Sequence, residues 1–140
     1  MNNINEFVGI NYYRHSFDIY NKEGVNCVGL IKHIDKDFKY FLDSLTNNTN
    51  AAKALNGNKN FLKYYSKIDF VDRAKNDIIL IKDKKEKAYT HIGILVDKDN
   101  FLHNIETKFG SIVQNISYLN FCNKDFLFIR KKEVKNENKL

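Results

Sequence analysis

The chain has no proline and only two cysteines among its 140 residues. Cys27 and Cys122 lie far apart with no Cys-x-x-Cys spacing, so the thiols carry neither a metal-finger nor a dithiol redox signature. No apolar run approaches the length of a membrane span. The N-terminus, Met1-Asn2-Asn3-Ile4-Asn5-Glu6, has neither a positive stretch nor an apolar one, and predicts no signal peptide. An arginine-rich stripe and a glycine-flanked aromatic motif are also missing, which argues against a nucleic-acid partner. The absent proline goes with abundant Asn, Lys and Ile, the composition an AT-rich genome produces. The net charge of +6 is read as part of that lysine bias, because the lysines are dispersed and acids interrupt the cluster at 82–87.

The chain is long enough for one domain with its own core. From Asn26 to Leu45, apolar residues recur at Leu30, Ile31, Ile34, Phe38, Phe41, Leu42 and Leu45, which is helical spacing. Cys27 lies on the same stripe, in the first turn. Residues 46–50 read as a loop, and a second, shorter helix is expected within 51–66. The period then changes. Asp77–Ile81, Thr90–Val96, Asn100–Ile105, Ser111–Ile116 and Asp125–Arg130 are short, β-branched or aromatic, and separated by turn residues. Helices followed by a meander predict an α+β fold with an antiparallel sheet of about five strands, spanning 1–130. Residues 131–140 are charged and are expected to fray.

Three residues stand out chemically. Cys27, in Gly24-Val25-Asn26-Cys27-Val28-Gly29-Leu30, opens the helix, where the dipole favours a thiolate. His91 and His103 lie on later strand segments. If Asp97-Lys98-Asp99 forms a three-residue turn, Val96 pairs with Asn100 and Gly93 with His103. His91 then lies diagonal to His103 on one face, with Gly93 leaving room for the rings. Such neighbours are about 7–8 Å apart. A thiol, a base and a group that orients the base make up a nucleophilic triad. Taken singly, Cys27 reads as a small buried residue and each histidine as an ordinary strand or hairpin residue. Cys122 reads as a small buried apolar residue and His33 as a helix-surface one.

The order of motifs resembles the NlpC-like cysteine peptidases, a papain-like group that cuts bacterial cell-wall peptides. Gly9-Ile10-Asn11-Tyr12-Tyr13-Arg14-His15 is similar to the Gly-x-Pro-Tyr-Arg-His stretch of the branch found in phage tails. Gly24–Leu30 is similar to the family's Gly-x-Asp-Cys-x-Gly-Leu, with Asn26 in place of the aspartate that holds the substrate amine. Asn76-Asp77 stands where the family has Gly-Asp, and His91-Ile92-Gly93-Ile94 and Phe101-Leu102-His103 complete the series.

The resemblance implies a papain-like fold and a Cys27–His91–His103 triad without metal or cofactor. It puts Tyr13 and Asn26 on the substrate or oxyanion side, with a plain core aromatic as an equal reading of Tyr13, and lets His15 line the groove. It implies hydrolysis of a peptidoglycan stem peptide, at the bond from D-glutamate to a diamino acid. Other tail-tip proteins would be partners and the virion the location. The rivals are a structural tail-tip protein that keeps the fold with little hydrolysis, acyl or amide transfer by the same thiol, and a two-histidine metal site, for which no acidic or cysteine partner has ligand spacing.

Overall fold

The computed structural model describes residues 4–35, 64–87 and 89–132. Six strands form one antiparallel sheet: β1 (Tyr65–Ile68), β2 (Ile78–Asp83), β3 (His91–Leu95), β4 (Asn100–Asn104), β5 (Ser111–Asn115) and β6 (Lys124–Lys131). Their order across the sheet is β1-β6-β2-β3-β4-β5. The fold is mixed helix and sheet. Among the described residues no helix is long and apolar enough to cross a membrane.

The core follows from strand alternation. In β2, Ile78 and Leu80 pack with Ile92 and Ile94 of β3 and Ile129 of β6 on one face. Helix α1 (Cys27–Ile34) covers that face with Val28, Leu30 and Ile31. Ile79 and Ile81 point the other way, with Leu95, Phe101 and Phe128, and are covered by Ile116 and Leu119 around the short helix α2 (Ser117–Phe121). Both faces of the central strands are therefore dry, which explains the unbroken Ile78-Ile79-Leu80-Ile81 run.

Three expectations change. Helix α1 closes at Ile34, with Asp35 in extended conformation (φ −106°, ψ 96°), so it does not run on to Leu45. Aspartate at that position favours a cap over a helix interior. The sheet has six strands. β1 lies where the second helix was expected to end, and pairing of Tyr65 with Lys131 and Ile68 with Phe128 fixes it. Lys131 and Lys132, expected in the frayed tail, are held: Lys131 is in β6 and the Lys132 N–H bonds the Tyr64 carbonyl at 2.8 Å. The rest of the expected helices and tail, residues 36–63 and 133–140, lies outside the described residues.

The sequence conceals one polar anchor. Asp77 is 2 % exposed, and its carboxylate accepts from Arg130 at 2.7 and 2.8 Å and from the Ala74 N–H at 2.8 Å. It ties the start of β2 to β6. Asn76 just before it has φ +76°, the left-handed region in which Asn is tolerated better than most residues. Asp77→Ala should lower unfolding stability by about 2 kcal/mol, because the buried carboxylate's bonds to the Ala74 N–H and the half-exposed Arg130 guanidinium are lost. Urea unfolding checks this, and an unchanged midpoint would contradict the anchor.

Candidate active site

The start of α1 is built by short polar ties. Gly24 turns at φ +126°, and the Val25 N–H bonds the Asn11 carbonyl at 2.9 Å. Asn26 is extended (φ −79°, ψ 175°) and caps the helix, its Oδ1 accepting from the Gly29 N–H at 2.8 Å. Its Nδ2 donates to the Arg14 carbonyl at 3.2 Å. With no exposure and both amide ends engaged, Asn26 is an architectural cap for the helix that begins at Cys27.

Asn104, the residue after His103, is the tie that sequence reasoning missed. It is fully buried, and its Nδ2 donates to the Val25 carbonyl at 2.8 Å and the Asn11 carbonyl at 3.3 Å. One carboxamide thus links the end of β4 to the loop that delivers Cys27. The only signal in the sequence is its place next to a candidate histidine.

The expected hairpin register is present: Gly93 pairs with His103, Ile94 with Leu102 and Leu95 with Phe101. Asp97 Oδ1 accepts from the Asp99 and Asn100 N–H groups at 2.8 and 2.9 Å and fixes the turn. His91 and His103 share a face, and His91 Nε2 lies 2.7 Å from His103 Nδ1. His103 Nε2 in turn lies 2.7 Å from Gln114 Oε1 on β5. Gln114 was not singled out in the sequence. Its register opposite Phe101 puts it on the histidine face. Phe101 flanks the His103 ring, with centroids 4.5 Å apart. At Gly93 the Leu102 carbonyl, Phe101 and Ile79 pack where a Cβ would stand.

Alternation decides how the thiol relates to this pair. Ile92 faces α1, so the adjacent His91 ring projects from the opposite face, away from the helix body. Cys27 meets β3 at its flank. Strand N–H groups point sideways within the sheet. The β3–β4 pairing stops at Gly93 and His103, and the Ile92 N–H turns to the Cys27 sulfur, as do the N–H groups of Val28 and Cys27. The thiol therefore lies where the two strands part, beside the peptide next to His91.

Electrostatics make this a neutral site at rest. Burial is the largest influence on both partners. It pushes the Cys27 thiol up to about 12, against the opposing pull of the three N–H groups. It pulls His91 down to about 3, helped by His103 and Lys124, and His103 down to about 4, opposed by the Gln114 bond. A preformed thiolate, expected from the helix dipole, is overridden by desolvation: Cys27 is only 3 % exposed.

The other sequence candidates separate. Tyr12 is the tyrosine that senses Cys27, and its pKa is raised by burial and then by that thiol. Tyr13, expected on the substrate or oxyanion side, meets the exposed His15 ring edge-on at 5.6 Å. His33 is not on the open helix surface; it is wedged between Phe7 and Tyr20. Cys122 is partly exposed rather than buried. It hydrogen-bonds Tyr118 and lines a hollow of about 260 Å³ with His91, His103, Gln114 and Leu119. The histidine face is thus open to solvent through this hollow. Compared with known proteins, the chain matches no family model and no curated sequence.

Two predictions follow from burial. The unfolded chain takes up protons on His91 and His103 below about pH 6.5, whereas the folded protein resists until about 4 and 3. Stability is therefore complete above pH 6.5 and falls as pH drops through that window, by up to about 1.4 kcal/mol per pH unit for each histidine. For Cys27 the sign is opposite: stability falls as pH rises from the usual thiol range toward about 12. Urea midpoints should form a plateau between these limits, and His103→Gln should flatten the acid limb. Midpoints that stay level from pH 7 to 4.5 would contradict the buried pair. With a small alkylating reagent at pH 7.5, Cys122 should be labelled well before Cys27. Peptide mapping of the adducts reads the order, and faster labelling of Cys27 would mean an activated resting thiolate.

Proposed function

We propose that the protein is a cysteine endopeptidase of the papain-like, NlpC-like kind, acting on peptidoglycan stem peptides. The observation that carries this reading is the placement of Cys27. The Ile92 N–H bears on its sulfur and opposes the rise of its pKa, and the preceding residue, His91, is hydrogen-bonded to His103. This reading assigns Cys27 as the nucleophile, His91 as the base and His103 as the group that orients it.

Because thiol and imidazole are both neutral at rest, the mechanism starts as general-base catalysis. Cys27 attacks the peptide carbonyl as its proton passes to His91, and His103 stabilises the imidazolium. His91 then protonates the leaving amine, and water hydrolyses the thioester with His91 as base. The N–H groups that face the sulfur are candidates to hold the oxyanion. The resemblance supplies the substrate: the bond from D-glutamate to a diamino acid. The setting that goes with that substrate is a phage tail tip or related particle, among other tail proteins.

A second reading, a structural tail-tip protein with little hydrolysis, is favoured by one observation: the thiol is almost fully covered and its pKa is raised to about 12. Purified peptidoglycan separates the two. If the protein is a hydrolase, Cys27→Ala should abolish release of peptides, and His91→Ala should reduce it by about 10²–10⁴-fold. His103→Asn should be milder, since an amide can still accept from His91. Mass spectrometry of the released fragments gives the bond, and Cys122→Ala should leave the yield unchanged. A wild type that releases nothing, in protein recovered from intact particles, would favour the scaffold.

A further inference from the structure

The proton positions along the histidine couple are fixed from its far end. His103 Nε2 lies 2.7 Å from Gln114 Oε1, and a carboxamide oxygen only accepts. His103 Nε2 must therefore carry the proton. In a neutral ring that leaves Nδ1 with a lone pair. His91 Nε2, 2.7 Å from that Nδ1, must then be the donor. The remaining nitrogen of His91, Nδ1, is left with a lone pair, which is what a base for the thiol needs.

The reversed carboxamide gives the reversed chain. If the Gln114 amide group faced His103, His103 Nδ1 and then His91 Nδ1 would carry protons, and His91 would present no lone pair. The charged state distinguishes the two. Once His91 has taken the thiol proton, both its nitrogens donate. His103 must accept at Nδ1 and hence donate at Nε2, and only an acceptor at position 114 can receive that bond. His103 is 4 % exposed, so solvent does not substitute easily.

We infer that Gln114 is a positioning residue that sets the tautomer of both histidines and so turns His91 Nδ1 into the base. The consequence for catalysis rests on the hydrolase reading; the tautomer assignment does not.

Nitrogen-15 spectra of the histidine rings at pH 7.5, assigned with His91→Gln and His103→Gln, test it. In the wild type both rings should be the Nε2–H tautomer. Gln114→Leu should give mixed tautomers. Gln114→Glu, which still only accepts, should restore the single form and raise the pH at which His103 titrates. Peptidoglycan release should fall at least tenfold in Gln114→Leu, short of the roughly 10⁴-fold that a wrong tautomer costs in a serine triad. It should recover in Gln114→Glu with a shifted pH profile. A wild-type His91 carrying its proton on Nδ1 would overturn the inference, even if Gln114→Leu does not fold. So would a folded Gln114→Leu with unchanged tautomers and pH profile. A wild type with both Nε2–H forms and no peptide release would remove the hydrolase reading and leave the tautomer assignment standing.

Discussion

The register of the β3–β4 hairpin is the constraint on which the rest depends. The Asp97-Lys98-Asp99 turn, clipped by the Asp97 carboxylate, sets Gly93 opposite His103. A shift by one residue would move a histidine to the other face and break the couple. The same register stops the pairing at Gly93 and frees the Ile92 amide for the Cys27 sulfur. It also leaves Asn104 just past the paired stretch, where its side chain holds the loop that carries Cys27. One turn therefore positions His91, His103 and the side chain that anchors the Cys27 loop.

Burial is the second determinant, and it opposes reactivity. A helix N-terminus and three amides favour a thiolate, but the loss of hydration outweighs them. The histidines respond in the same direction. The result is an uncharged set of hydrogen-bonded groups, stable near neutral pH, in which charge develops only during proton transfer. The exposed side of the couple faces the hollow beneath α2, while the thiol reaches the strand flank from the α1 side. The Cys27 thiol and the hollow that opens onto the histidines are thus separated by the sheet.

Local patterns carried much of this. The β2 to β6 segments, the hairpin register and the shared face of His91 and His103 were legible, because side-chain alternation and an odd-numbered turn determine them. β1 was not, because a four-residue edge strand is fixed by its partner 60-odd residues away. Asp77–Arg130, Asn104 and Gln114 were hidden for the same reason: each gains its meaning from long-range neighbours. Cys27 was legible as a helix-opening residue, but its raised pKa was not, since burial is a property of the packed molecule.

The central claim is that Cys27, though covered at rest, is the thiol served by His91. A stem-peptide mimic carrying an electrophilic ketone at the D-glutamyl position tests it most directly, with the adduct located by mass spectrometry. The account predicts that the modification falls on Cys27, that His91→Ala abolishes it, and that Cys122 is spared. Adducts confined to Cys122, the thiol in the hollow, would contradict it.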